Sequence, residues 1–535
     1  MILAMSSRAK KWILALAIVG AAGLGVLILV GRHMAQRFEP YIKQQAIDYL
    51  RKRFESEVQL EALTVRIPKL SPTRLVFSKG AGVIAEVEGS GIVMRYRGRK
   101  DIPPMFAMKS FHFEVDLGKV FDPVKNIDLV RLDGMEIHIP PKGERPDFPD
   151  PEPGSKPPNV VIEHVEINNA RLVILPKNRD RKPLDFALHE IHLKSAGPNR
   201  AMDYTARLTN PKPPGLIVSK GNFGPWNADS PSDTPLAGDY VFKNADLGVF
   251  KGIAGILQST GKFQGVLSEI SATGEARVPD FRLKRSGNPV SLQTTFEVGV
   301  DGTNGNTTLK PVHAVLGSTR FTTSGAVIKH EGDPRRTIKL DVDMPEGNMV
   351  DIMRLAMPGP PMMAGKLTLK TSLLVPPLSG KVIEKLELAG RFDIRDGQFL
   401  KSKIQDKLDS FSRRGQGQPK NETIDDVPSS MRGQFKLDDQ TITFSELQFV
   451  VPGAAVDLAG NYQIDKDNLD FHGTLKLVAK VSQTMTGWKR FVLKPIDPFF
   501  SKNGAGTFIR IQVTGSSKDP NFGRDKGSKD NETDN

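Results

Sequence analysis

The sequence predicts a mainly β protein: one N-terminal transmembrane helix, then an elongated antiparallel sheet curled into a trough, with a few short amphipathic helices. Three observations predict it. Only one charge-free stretch reaches membrane length, apolar and polar residues alternate through most of the chain beyond it, and a Gly-x-apolar-x-apolar pattern recurs in the second half. Composition agrees. Of 535 residues, 39% are hydrophobic and 25% charged, close to ordinary soluble domains, which excludes wholesale disorder and a polytopic transporter. The net charge of +13 favours anionic partners without choosing between nucleic acid and lipid headgroups. The absence of Cys excludes disulfide scaffolds, thiolate metal sites and Cys nucleophiles, and it suits an oxidising compartment.

Residues 1–11 carry Arg8, Lys10 and Lys11 and are expected in the cytoplasm, because positive charge stays on that side. Residues 12–31 then run from Trp12 to Gly31 without charge, about 30 Å of helix, enough to cross a bilayer core. The competing reading is a cleaved signal peptide with Ala21 or Ala22 before the cut. The apolar run continues past that point through Leu24, Val26, Leu27, Ile28 and Val30, which favours a retained anchor. Across residues 35–55, Phe38, Tyr41, Ile42, Gln45, Tyr49, Leu50 and Phe54 recur at helical spacing among basic residues. That stripe either caps the next domain or lies in lipid headgroups, and capping is the favoured use.

From Val58 the period becomes two, which defines an N-terminal β region over 58–139. Residues 140–158 hold eight prolines in 19 positions, cannot supply ladder donors, and read as an extended loop. A central sheet region occupies 159–400. Within it Ile338, Leu340, Val342 and Met344 alternate with Lys339, Asp341 and Asp343, one clean apolar face. Residues 401–423 give a helix at Ile404, Leu408 and Phe411 and a flexible loop, 424–515 a last β region, and 516–535 a polar tail. The repeats begin at Gly365, Gly390, Gly433, Gly460 and Gly473, the last carrying Leu475 and Leu477, and each reads as a turn glycine feeding a strand. At about 12 residues per strand and turn, the β region predicts roughly 38 strands.

No catalytic constellation emerges. His189 and His192 lack metal spacing, the paired glycines lack the third glycine of a dinucleotide loop, and the basic residues lack the aromatic interleaving of a nucleic-acid surface. The expectation is therefore no catalytic, cofactor or metal site and no nucleic-acid partner. Two apolar features do stand out. A sheet with alternating faces must hide its apolar side, and few helices are available to cover it, so Ile338, Leu340, Val342, Met344, Leu475 and Leu477 are candidates for a lipid groove. Around Thr484–Phe500, Trp488, Phe491, Phe499 and Phe500 stand beside Lys489, Arg490 and Lys494, a mixture suited either to docking at a membrane or to plugging the sheet's end.

Several runs resemble the AsmA-like family of diderm bacteria: Asn210-Pro-Lys-Pro-Pro214, Phe223-Gly-Pro-Trp-Asn227, Ala245 to Gly255, Asp301-Gly-Thr-Asn-Gly305, Gln483 to Phe500, Gly504 to Thr507 and Asp519 to Gly523. The resemblance spans nearly everything after the membrane helix and is strongest beyond residue 200. It implies kinship with bridge-like lipid transfer proteins, whose curled sheets present an apolar inner face, and no catalytic residues. The expected protein is anchored in the inner membrane with its bulk in the periplasm. It would carry phospholipid acyl chains along the groove and contribute to outer-membrane integrity. A non-enzymatic assembly factor for outer-membrane proteins is the alternative, with envelope proteins as partners.

Overall fold

The computed structural model describes residues 38–66, 84–116, 125–141, 144, 160–176, 182–197, 200–225, 233–479 and 507–525, apart from short gaps at 267, 303–304, 330–334, 378–379, 421–422, 424 and 518. The expected membrane helix at 12–31 and the docking residues Trp488, Phe491, Phe499 and Phe500 lie outside these residues. Among the described residues no helix is long and apolar enough to cross a membrane.

The described chain is mainly strand. It divides into two compact units, the first holding residues up to Val249 with Leu257–Ala276 and Val298–Asn306, the second holding the rest. The first unit contains α1 (Phe38–Phe54) and nine strands paired in sequence order: β1 (Ser56–Arg66), β2 (Ile84–Tyr96), β3 (Phe106–Asp116), β4 (Lys125–Ile139), β5 (Val160–Ile174), β6 (Leu184–Ala196), β7 (Met202–Pro211), β8 (Pro214–Phe223) and β9 (Pro235–Asp246). Next in sequence come β10 (Ile253–Ala254), β11 (Ile256–Val266), β12 (Glu269–Leu283) and β13 (Val290–Val300). The expectation of roughly 38 strands compares with fewer, longer strands among the described residues. The described residues form 24, because most strands run 10 to 15 residues, well beyond the usual five or six.

Between β4 and β5 the antiparallel expectation fails. β4 and β5 are parallel, with Val130 opposite Val165 and Ile137 opposite Leu172. A parallel neighbour requires the chain to return the full strand length, roughly 50 Å for 15 residues, and the proline-rich segment between them is long enough to do so.

The cores of this unit lie on one sheet face, yet the alternation that defines the face changes phase. Leu60, Ile92, Met108 and Met135 are register partners in sequence along one row, while Leu63, Gly89, Phe111 and Leu132 make the next. Between the rows Gly91 and Gly134 have φ of 66° and 63°, a left-handed backbone that lets both rows point the same way. Helix α1 covers the first cluster, placing Leu50 and Phe54 against Val58, Leu60, Ile92 and Met94. This is the capping use of the helix. Of the expected stripe Leu50 and Phe54 are buried, joined by Ala46 one turn earlier, while Tyr49 is exposed.

The second unit contains a meander of eleven strands, each antiparallel to the next: β14 (Thr307–Leu316), β15 (Thr319–Lys329), β16 (Arg336–Asn348), β17 (Met363–Val375), β18 (Glu387–Phe399), β19 (Ser429–Asp438), β20 (Thr441–Val451), β21 (Ala454–Gln463), β22 (Asn468–Leu477), β23 (Thr507–Gly515) and β24 (Pro520–Arg524). β24 lies inside the segment expected as a polar tail. Val513 opposite Phe522 gives it an apolar pairing, and a turn closed by Asp519 N–H to the Ser516 carbonyl at 3.2 Å feeds it.

Two helices interrupt the meander, α2 (Met349–Ala356) between β16 and β17, and α3 (Ser402–Gly415) between β18 and β19. α3 stands where the spacing of Ile404, Leu408 and Phe411 predicts it, whereas α2 interrupts what was expected to be continuous sheet. Its signals are local. Asn348 caps it, accepting from Val350 N–H at 3.0 Å, and Met349, Ile352, Met353 and Ala356 recur at helical spacing.

Candidate functional site

Register places the expected groove residues on one face of the second unit. Leu340 stands opposite Leu373, and the row continues through Leu388, Leu437, Ile442, Tyr462 and Leu469 as far as β22. A parallel row starts at Met344 and passes Leu369, Phe392, Gly433, Leu447, Leu458 and Gly473 to Ile511. Leu475 belongs to a third row with Val456, Phe449, Met431, Ile394 and Leu367, and Leu477 pairs with Ala454 at its border. Eight strands, β16 to β23, at about 4.8 Å make this apolar face roughly 34 Å across.

Bulges keep the face intact. At Pro345–Glu346, Arg395–Asp396 and Ser445–Glu446 the register shifts, so Met344 and Gly347, Ile394 and Gly397, and Phe444 and Leu447 keep facing the same way despite odd spacing.

The repeat glycines are not turn residues, contrary to the sequence expectation. Gly365, Gly390, Gly433, Gly460 and Gly473 all lie inside strands. Gly433 shows why: a Cβ there would come within 2.6 Å of the Glu446 carbonyl oxygen and 3.1 Å of the Phe392 ring. The missing side chain makes room for an aromatic neighbour, a known way to stabilise a strand glycine. The rings succeed one another over the sheet, with centroids 6.2 Å apart for Phe392 and Phe435, 6.3 Å for Phe392 and Phe444, and 5.8 Å for Phe444 and Phe471. Phe392, Phe435 and Phe471 stand within or beside the repeats in the sequence, but reading the glycines as turns hides the face they share with Phe444.

Cover is uneven along the strands. Met344 is 4% exposed in a cluster with Met363, Leu367 and Ile394, over which α2 lays Met349, Ile352 and Met353. Leu408 of α3 packs on Val427, Val451 and Ala454, with Leu477 against them. Ile338, Leu340, Val342, Leu373, Leu388, Phe435, Phe444 and Leu475 are only half-buried, and none belongs to a buried cluster among the described residues. The six expected groove residues therefore separate: Met344 is core and Leu477 lies at a helix border, while Ile338, Leu340, Val342 and Leu475 belong to the open stretch.

Each helix is fixed by a buried carboxylate. Asp351 of α2 accepts from Ser318 N–H at 2.8 Å, Ser318 Oγ at 2.7 Å and Thr319 Oγ1 at 3.1 Å. Asp409 of α3 accepts from Gln405 Nε2 at 2.9 Å, Val427 N–H at 3.0 Å and Asp426 N–H at 3.2 Å. Burial pushes the Asp409 carboxyl up, but the Val427 N–H, the Asp425 carboxyl, Gln405 and the Asp426 N–H outweigh it and hold Asp409 below its ordinary range.

The opposite face is polar, with cross-strand pairs such as Lys370 Nζ to Asp343 Oδ2 at 2.8 Å and Lys476 Nζ to Asp457 Oδ2 at 2.6 Å. Two open hollows of about 450 and 560 Å³ lie on that side, lined by Asp341, Asp343, Lys370, Arg391, Gln434 and Lys436 among others. His189 and His192 do not converge, since His189 Nε2 meets Thr209 Oγ1 at 2.8 Å and His192 Nε2 meets Glu190 Oε1 at 2.6 Å.

No family model, no curated protein and no solved structure matches the chain.

Proposed function

We propose that the chain is a non-enzymatic lipid carrier of the AsmA-like kind, holding phospholipid acyl chains on the half-covered apolar face of its second unit. One observation carries the reading. An apolar surface about eight strands wide continues in register with no described element over its middle, and such a surface is costly in water unless something apolar covers it. Acyl chains have the right chemistry and can lie across strands. In this reading residues 12–31 anchor the chain in an inner membrane, the sheet curls around its lipid in the periplasm, and the protein serves outer-membrane integrity. Neither metal nor cofactor is required.

The experiment is to purify the full chain, extract it with organic solvent and count lipid phosphate by mass spectrometry. Stoichiometric phospholipid that survives exchange of detergent supports the carrier. A lipid-free chain with the same melting temperature would overturn it.

A second reading has its own observation. β24 pairs with β23 alone among the described residues, and Phe522 beside that open edge is 73% exposed. An incoming strand could add there, as an assembly factor for outer-membrane proteins would require. Binding of unfolded barrel strands without lipid would favour it.

A further inference from the structure

Helix α3 carries a feature that the apolar face does not need. Its inner side is fully committed, with Gln405, Leu408, Asp409 and Ser412 buried. On its outer side Lys403, Lys407 and Arg414 are exposed, and at about 100° per residue they fall within roughly 40° of one another. None of the three makes an ion pair among the described residues. Beside this row two aliphatic side chains face solvent: Leu400, just before the N-cap Lys401, is 55% exposed, and Ile404 is 38% exposed. Asp406 is the one exposed carboxylate on the helix, and it lies on the flank away from Ile404.

From this juxtaposition we propose that the outer side of α3 docks on the surface of an anionic lipid bilayer, with Lys403, Lys407 and Arg414 among the headgroup phosphates and Leu400 and Ile404 at the acyl boundary. The charges select the partner's sign. Three unpaired cations in a line match a plane of phosphates, and exposed aliphatic groups near the start of that row suit the border between headgroup and hydrocarbon rather than a hydrated polyanion. An exposed Leu and Ile would contribute nothing to binding a free phosphate. The proposal stands apart from lipid carriage, because it uses none of the apolar-face residues.

The chain has no Cys, so Ile404→Cys creates a unique thiol for an environment-sensitive fluorophore. The full chain, held in phosphatidylcholine nanodiscs, is mixed with vesicles of phosphatidylglycerol or of phosphatidylcholine. The expected result is a blue-shifted, severalfold brighter emission with phosphatidylglycerol alone, reversed near 0.5 M salt by screening (about the level at which the Debye length falls to a few Å). Adding Lys403→Glu and Lys407→Glu should weaken binding roughly tenfold or more, at an unchanged melting temperature. The same label at Lys366→Cys, on the polar side of β17, should not respond, and Leu340→Asp should leave the response intact even if it abolishes lipid carriage. An equal response to both lipids, or at both label positions, overturns the proposal. So does a label that dries only as protein concentration rises without vesicles, which would assign the patch to a second copy of the chain.

Discussion

Asp351, buried in α2, accepts a 2.8 Å hydrogen bond from the backbone N–H of Ser318, in the turn that joins β14 to β15. The same carboxylate takes the hydroxyls of Ser318 and Thr319, and the Thr319 hydroxyl in turn accepts from Asn348 N–H at 2.9 Å. One side chain thus ties a helix start to a hairpin. Asp351→Ala would leave the fully buried Thr319 hydroxyl without its acceptor and remove the partner of the Ser318 N–H, at a cost of about 1–3 kcal/mol. The expected outcome is a melting temperature lower by several degrees, with Asp351→Asn losing less because it keeps one acceptor oxygen. An unchanged melt for Asp351→Ala would mean that the network holds nothing in place.

Gly433 gives a second stability prediction. Its absent Cβ faces backbone, the Glu446 carbonyl at 2.6 Å, so the clash of any larger residue cannot be relieved by turning a side chain. Gly433→Ala should destabilise by about 1–3 kcal/mol, and Gly433→Val by more. Phe392→Leu made in the same chain should not rescue either variant, since the obstacle is the neighbouring strand's main chain. Chemical denaturation of the single and double variants checks both statements.

The strands of the second unit are legible in the sequence because period-two alternation survives wherever one face is apolar; spacing alone puts Ile338, Leu340, Val342 and Met344 on one face. Spacing cannot show that Met344 is core while Leu340 stays half-open. That difference depends on α2, eight residues long and too short to leave a strong periodic signal between two strands. The phase change near Gly91 is hidden for a different reason. Leu60 and Leu63 break the alternation, and only pairing with Ile92 and Gly89 shows that both remain on the same face. The parallel pairing of β4 and β5 is unreadable because neighbours in space are not written in either strand.

His472 supplies a pH prediction. Its ring meets Asp525 Oδ2 at 3.0 Å and Asp470 Oδ1 at 3.2 Å, and the hydrogen bond to Asp525, with that to Asp470, raises its pKa despite slight desolvation. A raised folded pKa means that the contribution to stability is present in full below the unfolded value, near 6.5 for histidine, and fades as pH rises through the folded value. The stability difference between the natural chain and His472→Gln should therefore be largest in mild acid and vanish in mild alkali. Titration of the His472 ring by NMR checks the direction, and a midpoint at or below that of an unfolded histidine would refute it. Because Asp525 directly succeeds β24, Asp525→Asn should lower the same midpoint.

The sharpest test of the apolar face uses two residues four positions apart on β16. Met344 and Leu340 share a face, but Met344 is 4% exposed beneath α2 whereas Leu340 is half-buried. A carboxylate at Met344 would be buried without a partner, at several kcal/mol, so Met344→Asp should unfold this part of the sheet. At Leu340 the carboxylate can still reach water when lipid is absent, and Leu340→Asp should cost no more than about 1–2 kcal/mol of stability. In the carrier reading it nonetheless sits where acyl chains lie, so lipid phosphate per chain should fall sharply while the melt moves little. Photo-crosslinkers placed at Leu340 and Lys339 add the face control, since Lys339 points to the polar side: lipid adducts should form at Leu340 and not at Lys339. If Leu340→Asp loses stability as Met344→Asp does and keeps its lipid, the open stretch is an ordinary core and the carrier reading fails.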